Sequence, residues 1–509
     1  MRIAAIDIGS NSIRLTIVDA PARGRRVTCD EEKVYARLGR GVPKTGELSV
    51  EAMDVAVVAL DRMVRLAREQ EATHVRAVAT AAVRDARNGA AFVERVRAEL
   101  GLDIEVIDGA HEGRLALLSA VDGLAVGHGL TVVDIGGGSV EVVTGSGAHV
   151  DSVVSMPLGA VVLADRFGDK DPLSKTMHRR LSRHVQDMLA EALPDIRTPA
   201  VLAGSGGTVT TLAAMIAAAR DMSLAGVHGL CIGAEELGDL RSTLVRSTAG
   251  ERERMKGLSQ SRIDLIVPGV VVLDEVMRAL GAQSITVNAH GMREGIVLEV
   301  IERERGMLPC VDRMRSVRDV GGGYRNDVRH AEHVRYLALQ LFDDLVPDLG
   351  LAPDDRPLLE AAALLHDVGH HVAYEDHHKH SFHLISHADL PGFTAVEVRL
   401  IAAIARYHKG SRPKSRHDAI QGFDAGEVDR VSGLAALLRL ADGLDRSRGQ
   451  RVRSINVLRE GDRLVLCIDG TPPFDIEIAG ALRKADLAES IWDITVEVLG
   501  AGDAPRRSR

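Results

Sequence analysis

Several patterns are scarce in this 509-residue sequence, and each shortage excludes a class of protein. No apolar run approaches the length that spans a membrane. Basic residues number 63 against 72 acidic ones, a formal net charge of −9, which argues against a dedicated nucleic-acid-binding protein. Four cysteines lie far apart without metal-binding spacing, so we expect reduced thiols and no disulfide scaffold. They are Cys29, Cys231, Cys310 and Cys467.

Aromatic residues make up only 3% of the chain, although the apolar fraction of 45% is ordinary for a globular protein. A chain of this length is too long for one hydrophobic core, and we expect three or four domains. The first residues enter a strand directly, so we expect no signal peptide and a cytoplasmic protein.

A glycine-rich turn near the middle of the first 300 residues is the strongest chemical signal. Residues 130–133 predict a buried strand, the turn follows, and a second strand resumes at Val140. Glycines let backbone N–H groups approach an anion closely, and the turn consists of Gly136, Gly137, Gly138 and Ser139. Asp134 and Glu141 flank it, and two carboxylates beside a phosphate require a hard cation, so the pattern indicates Mg²⁺. The competing interpretation is a glycine hairpin without a ligand.

The same pattern recurs twice. Residues 3–18 form strand, turn and strand around an Asp-Ile-Gly sequence, with Ser10 and Asn11 in the turn, which suggests an internal duplication. At residues 201–219 a strand leads through Gly206, Gly207 and Thr208 into a helix, whose N-terminus favours an anion.

Two charged side chains are candidates for catalysis. Glu112 enters a helix after a glycine turn, where a carboxylate could orient an attacking water. Its alternative role is an ordinary first-turn glutamate that interacts with the helix dipole. Arg84 follows a strand and is either a phosphate clamp or an exposed loop arginine.

These segments, in this order, resemble the exopolyphosphatase / guanosine pentaphosphate phosphohydrolase (Ppx/GppA) family over nearly all of residues 1–300. The resemblance implies two ribonuclease-H-like lobes of the actin/hexokinase/Hsp70-like fold. It also implies that Glu112 activates water, that Asp134 and Glu141 hold Mg²⁺, and that Arg84 and the three turns bind phosphates. His111 stands where an acidic residue is usual in the family, and Gly113 where alanine is usual.

Beyond residue 310 the pattern is almost wholly helical, with helices predicted at 329–345, 358–365, 395–407 and 431–444. We interpret the glycine run 321–323 as linker and favour a solvated loop for the histidine-rich run 377–383. The alternative is that His377, His378, His380 and His383 add metal ligands or bind phosphate when protonated. This region resembles the HD superfamily of metal phosphohydrolases, and the implied ligands are His333, His366, Asp367 and Asp442. Such a ligand set suits Mn²⁺, Fe²⁺, Co²⁺ or Zn²⁺, and a structural relic without metal is the alternative.

We therefore expect α/β lobes at residues 1–125 and 126–305, an all-α HD-type domain at 312–446 and a small α+β domain at 447–509. The last domain is predicted as strands 454–458, 463–468 and 474–478, then a helix and a frayed tail from 505.

The favoured function is a Mg²⁺-dependent exopolyphosphatase, with inorganic polyphosphate as partner, no nucleic-acid or membrane partner, and a homodimer by family resemblance. Hydrolysis of guanosine pentaphosphate to tetraphosphate is the nearest alternative. A second phosphohydrolase site in the helical part, an actin/Hsp70-like ATPase or kinase, and a non-catalytic regulator are the others.

Overall fold

The computed structural model describes residues 1–22, 26–124, 126, 129–168, 171–193, 198–222, 226–306, 312–324 and 326–500, apart from the side chains at 347 and 348. The chain divides into two compact units, Met1–Arg220 with Gly226–Val311, and Asp221–Ala225 with Asp312–Arg509. The predicted boundary around 302–309, the tail from 505 and Cys310 lie wholly or partly outside the described residues. The four-domain division stays a prediction.

The first sheet has the strand order β3-β2-β1-β4-β5. Its first three strands are antiparallel, and β4 and β5 continue parallel to β1. The strands are β1 Arg2–Ile8, β2 Ile13–Asp19, β3 Val27–Val34, β4 His74–Ala79 and β5 Ile104–Val106. The accompanying helices are α1 Val42–Thr45, α2 Val50–Glu69, α3 Ala81–Asp85, α4 Gly89–Leu100 and α5 Gly109–Leu124.

The second sheet repeats this topology. Its order is β10-β11-β9-β6-β7-β8, with β6, β7 and β8 antiparallel and β9 and β11 parallel to β6. The strands are β6 Leu130–Ile135, β7 Val140–Ser146, β8 His149–Met156, β9 Val201–Ser205, β10 Cys231–Gly233 and β11 Ser284–Val287. The helices are α6 Ala160–Phe167, α7 Lys175–Ala192, α8 Gly206–Ala219, α9 Ala234–Arg246, α10 Ala249–Arg252, α11 Ile266–Ala279 and α12 Met292–Arg305, with a 3₁₀ turn Gln260–Arg262.

The order β3-β2-β1-β4-β5 of the first sheet matches β8-β7-β6-β9-β11 of the second, to which β10 adds an antiparallel edge strand. This match confirms the predicted pair of ribonuclease-H-like lobes of the actin/hexokinase-like fold. The duplication also explains why both lobes begin with the same hairpin. Helix α12 packs on the first sheet, because Ile296, Val297 and Ile301 share a buried cluster with Ile3 and Ala5. The domain division predicted from the sequence had assigned this helix to the second lobe, residues 126–305.

The second unit consists of helices around one small sheet. Its helices are α13 Arg313–Gly323, α14 Val328–Leu349, α15 Arg356–Leu365, α16 His377–Ser386, α17 Ala395–Arg406, α18 Ala425–Gly443, α19 Asp475–Lys484 and α20 Asp486–Trp492, with 3₁₀ turns Pro353–Asp355 and Val368–His371. The sheet has the order β12-β13-β14. Its strands are β12 Val452–Glu460, β13 Arg463–Gly470 and β14 Thr495–Gly500. One cluster of buried apolar side chains extends through the helices and the sheet.

Three expectations for this unit are wrong. The glycine run 321–323 ends helix α13 instead of forming a linker. The histidine-rich run forms α16, in which His377 and His378 are buried. Residues 474–478 alternate apolar and polar as a strand does, but they enter helix α19 because Gly480 there packs closely against Gly443. The predicted last helix is present as α19 and α20, and the strand β14 follows it.

Within the described residues, no helix is long and apolar enough to cross a membrane.

Candidate active site and candidate metal centre

Both lobes open with a hairpin whose four-residue turn has the same internal hydrogen bond. Gly9 N–H donates to Ser12 O at 3.1 Å, and Gly136 N–H donates to Ser139 O at 3.0 Å. The turns face each other, because a Cβ added to Gly138 would lie 2.7 Å from Ser10 Oγ. The space that these turns border is called the cleft below, and it brings together the phosphate-binding turns predicted from each lobe.

Cross-strand pairing fixes the acidic residues of the cleft. The hairpin register places Asp134 of β6 directly opposite Glu141 of β7, and Asp7 of β1 opposite Arg14 of β2. Like charges at directly opposed positions repel each other. Ser205 Oγ donates to Asp134 Oδ1 at 2.5 Å, and Ser155 Oγ donates to Glu141 Oε1 at 2.8 Å. These bonds hold the pair of carboxylates in place without neutralising it.

Buried polar atoms without partners mark a place for a ligand. Asp7 Oδ1, Asn11 Nδ2 and Glu141 Oε2 are buried and find no hydrogen-bond partner among the residues that the structure describes. A buried carboxylate oxygen left unpaired is costly. Carboxylate oxygens are the ligand type that a hard divalent cation prefers, so the donor chemistry of Asp7 and Glu141 fits Mg²⁺.

Glu112 completes the carboxylate cluster, which we define as Asp7, Glu112, Asp134 and Glu141. It lies in the first turn of α5 and is only 4% exposed. Arg84 of α3 donates to Glu112 Oε1 at 2.5 Å and to Ile107 O at 3.0 Å. The two predicted catalytic candidates are therefore partners, and neither Glu112 nor Arg84 is a free surface residue.

The electrostatics of the carboxylate cluster follow from burial. Burial raises the pKa of Glu112 to about 7, against the opposing effect of Arg84 and with a further increase from the charge of Asp134. Burial also raises the pKa of Asp7 to about 6 and the pKa of Asp134 above its usual range. Burial and the charges of Glu112 and Asp134 raise the pKa of Glu141 well above its usual value. Such a site favours the neutral acids until a cation enters.

The third turn lies at the start of α8, beside the β6 carboxylate. Gly206 adopts φ +91°, and a Cβ there would lie 2.5 Å from Ile135 O and 3.1 Å from Asp134 Oδ1, so glycine is required. Gly207 lies directly under the guanidinium of Arg262, and Thr208 is buried beside it.

Sequence reasoning missed three basic residues near the cleft, which we call the basic group: Arg14, Lys33 and Arg262. Burial, together with the charge of Arg14, lowers the pKa of Arg262 to about 10. Burial and the charges of Arg14 and Arg262 also lower the pKa of Lys33. Mutual repulsion of this kind is relieved by an anion. The hairpin register could have found Arg14, since a four-residue turn pairs it with Asp7, whereas Arg262 carries no local signal.

Comparison with known proteins identifies the family. The profile of the Ppx/GppA phosphatase family matches residues 17–304, and its domain III matches residues 313–493. The chain belongs to the Ppx/GppA phosphatase family. It is therefore a phosphatase by family, and the resemblance inferred from the sequence is confirmed at this level.

Similar proteins include one named for guanosine polyphosphate hydrolysis and one named an exopolyphosphatase. A guanosine-5'-triphosphate,3'-diphosphate pyrophosphatase from Aeromonas hydrophila is 28% identical over 443 residues, which cover 86% of this chain and 87% of that protein. The crystal structure of the Aquifex aeolicus Ppx/GppA family member is 32% identical, with a TM-score of 0.54, over 60% of this chain and 99% of that one. An exopolyphosphatase from Cytophaga hutchinsonii is 28% identical, with a TM-score of 0.55, over 60% and 98%.

The helical unit of this Ppx/GppA chain gathers a second set of polar side chains. His366, Asp367 and Asp442 come together as the sequence predicted, but the prediction of His333 is wrong. His330 takes its place, with Nε2 at 3.4 Å from Asp442 Oδ1. Both histidines lie on α14, and His333 instead stacks its ring on Tyr336.

Proposed function

We propose that this chain is an exopolyphosphatase, which removes terminal orthophosphate from linear polyphosphate. The observation that carries the proposal is the position of Glu112, a buried carboxylate with a pKa of about 7, held by Arg84 beside Asp134 and Glu141. A base with a pKa near the working pH is well matched to proton transfer from water.

Glu112 would take a proton from water as the water oxygen forms a bond to the terminal phosphorus. The bridging P–O bond breaks, and the electron pair leaves on the shortened chain. Arg84 and the N–H groups of the turns at Ser10, Gly137 and Gly207 would hold the phosphate oxygens in line for this displacement.

Asp134 and Glu141 would hold Mg²⁺, and the orphaned Asp7 Oδ1 makes Asp7 a further candidate. When bound, the ion supplies charge neutralisation for phosphate oxygens that otherwise face four carboxylates.

The basic group supports a long polyanion. Arg84 and the turns would contact a single terminal phosphate, and Arg14, Lys33 and Arg262 would add positive charge for further units. Polyphosphate carries one charge per unit, so its further units would pair with this group, and binding would weaken with salt.

The second candidate is hydrolysis of guanosine pentaphosphate, the chemistry for which the Aeromonas relative is named. The observation that favours it is a cavity of about 280 Å³ beside Ser10, Gly137 and Gly138. Its walls are largely apolar, with one carboxylate; they include Val42, Pro43, Ala81, Ala82, Asp85, Val161 and Val162. An apolar slot next to phosphate-binding turns has the character of a nucleobase pocket.

We also propose that the second unit is an HD-type domain that binds a divalent transition metal. Support comes from the convergence of His330, His366, Asp367 and Asp442. Imidazole with carboxylate suits Mn²⁺, Fe²⁺, Co²⁺ or Zn²⁺ better than Mg²⁺.

The decisive experiment measures phosphate release with Mg²⁺ from long-chain polyphosphate and from guanosine pentaphosphate. Glu112→Ala is expected to lower kcat at least 100-fold on the true substrate, while Glu94→Ala, an exposed glutamate of the same lobe, leaves it unchanged. A preference of kcat/KM for guanosine pentaphosphate would replace the first candidate by the second. Release that survives Glu112→Ala and falls in Asp367→Ala would assign the chemistry to the helical unit.

A further inference from the structure

Five histidines of the helical unit point the same ring nitrogen into one centre. They are called the histidine cluster: His330, His366, His370, His377 and His408. Four of them lie within 3.4–3.7 Å of Asp367 Oδ1 through Nε2, and three of these are His370 at 3.4 Å, His377 at 3.4 Å and His408 at 3.7 Å. His366 Nε2 lies 3.6 Å from the same oxygen. One carboxylate oxygen cannot satisfy four imidazoles as a hydrogen-bond partner.

The Nδ1 atoms of four histidines of the cluster are already occupied. Nδ1 lies 2.8 Å from Ala363 O in His366, 3.0 Å from Tyr374 O in His377 and 2.7 Å from Ala405 O in His408. His330 Nδ1 lies 2.8 Å from Asp445 Oδ2. A carbonyl can only accept, so each of the three rings carries its proton on Nδ1 and turns the lone pair of Nε2 inward. This is how proteins orient histidines that bind metals.

The inward lone pairs lack donors. His366 is completely buried, and its Nε2 has no hydrogen-bond partner within the described part of the chain. His377 Nε2 and His408 Nε2 lie 3.3 Å apart, although both are acceptors when their protons are on Nδ1. Two facing lone pairs repel each other, whereas a cation between them would bind both.

The donor atoms separate into two overlapping sets. His330, His366 and Asp442 can share one ion, and Asp367, His370 and His377 another; His366, Asp367 and His408 lie between them. The two oxygens of Asp367 face different sides, since Oδ1 lies towards His377 and Oδ2 lies 3.8 Å from His330 Nε2. We infer that the helical unit holds two divalent metal ions bridged by the Asp367 carboxylate. This inference extends the single-metal site proposed above.

Two cations indicate what the centre would bind besides metal. Arg448 donates to Asp367 Oδ2 at 2.6 Å, and Lys484 contacts Asp442 Oδ2. The Arg448 side chain is 42% exposed, and Lys484 and His370 are about one-fifth exposed, so the centre is open to solvent on this side. Metal ions that take over the carboxylates free both cations for an oxyanion. The ligand class is therefore a phosphate-bearing molecule held across two metals.

The test counts metal ions in the full chain. Chelator-stripped protein is loaded with Zn²⁺ in millimolar Mg²⁺, which keeps the oxygen-lined cleft supplied with the harder ion, and bound zinc is measured by mass spectrometry. Two zinc ions per chain are expected in the wild type. His377→Ala and His408→Ala should each retain one, and Asp367→Ala should lose at least one. His383→Ala is the matched control, because His383 is an exposed histidine of the same helix, and it should retain both.

Loading with Mn²⁺ provides a spectroscopic signal that would not change if His377 had only a structural role. A carboxylate-bridged Mn²⁺ pair gives an exchange-coupled electron paramagnetic resonance spectrum, which His377→Ala should convert to that of isolated ions while circular dichroism stays unchanged. If the wild type bound one zinc ion, and His330→Ala lost it while His377→Ala kept it, the proposal of a second ion would be wrong and the single-metal site would remain. No bound zinc would overturn both. Phosphate release in the cleft is independent of either result.

Discussion

Glu112 and Arg84 form the pair on which the cleft chemistry depends. The arginine lowers the pKa of the carboxyl while burial and the charges of Asp134 and Asp7 raise it, and the result is a value of about 7. A base of this kind is active only when it has lost its proton. The residue-scale consequences are a pH dependence of catalysis and a pH dependence of stability.

The first prediction concerns catalysis. We expect kcat/KM to fall at acidic pH as Glu112 becomes protonated, and bound Mg²⁺ should move this limb below the pH of about 7 at which Glu112 titrates without the ion. Arg84→Gln removes the group that favours the ionised form, so the acidic limb should move to higher pH in addition to the loss of rate. The pH–rate profile in saturating Mg²⁺ measures this. Arg87→Gln alters an exposed neighbouring arginine and should leave the acidic limb at the wild-type pH. An acidic limb at the same pH in both variants would show that Arg84 does not affect the pKa of Glu112.

The second prediction concerns the free energy of unfolding without Mg²⁺. The pKa of Glu112 is about 7 in the folded state against an ordinary value of 4.5. Burial of the ionised Glu112 carboxylate therefore does not destabilise the folded state below the unfolded-state pKa of 4.5, and the penalty is complete above pH 7. Glu112→Gln should stabilise the protein by about 3 kcal/mol at pH 8, with almost no gain near pH 4.5. Urea denaturation at both pH values checks this, and a gain that is independent of pH would contradict it.

At the scale of elements, the two hairpins could be predicted well. Strand, turn and strand were evident around residues 9–12 and 136–139, and a four-residue turn fixes which residues face each other across the hairpin. The pair Asp134 and Glu141, and the pair Asp7 and Arg14, follow from that register alone. The position of Glu112 opposite the hairpins did not follow, because it depends on the packing of α5 between the lobes.

The helical unit shows where periodicity fails. His330 and His333 lie one turn apart on α14, and both fit an apolar helix pattern, so only the neighbouring elements decide which histidine reaches Asp442. His377, likewise, reads as solvated because its sequence neighbours are polar. The run 474–478 has strand alternation, but packing of α19 on α18 overrides it.

Gly113 gives the third prediction. The family resemblance implies alanine here, whereas a Cβ at this position would lie 2.7 Å from both Val143 Cγ2 and Val153 Cγ1. Helix α5 therefore sits closer to β7 and β8 than alanine allows. Gly113→Ala should destabilise the protein by about 1–3 kcal/mol in urea denaturation. Adding Val153→Ala removes one of the two clashes and should recover part of the loss.

The control for this prediction lies in another helix. Gly238 of α9 has no atom within 4 Å of its added Cβ, so Gly238→Ala should stabilise the protein by up to about 1 kcal/mol through helix propensity. If Gly113→Ala were also stabilising, the close approach of α5 would be wrong.

At the scale of the whole molecule, two units with separate cores hold two centres of different chemistry. The cleft presents carboxylates, backbone N–H groups and arginines, which suit Mg²⁺ and phosphate chains. The second unit presents imidazoles around Asp367, which suit transition metals. Under the two metal proposals, Mg²⁺ and Zn²⁺ would bind to different units of the same chain.

The last prediction separates the two centres by hydrogen exchange. Mg²⁺ with orthophosphate should slow amide exchange in peptides that cover the turns 9–12 and 136–139, because their N–H groups face the ligand. Mn²⁺ added to stripped protein should slow exchange in α15, α16 and α17 by tying their histidines together. Glu141→Gln should abolish the first response only, and Asp367→Asn the second only. Each variant serves as the control of the other, since each changes one buried carboxylate to an amide of the same size. Loss of both responses in either variant would show that the units share one energetic transition, and the two centres would then have to be treated as coupled.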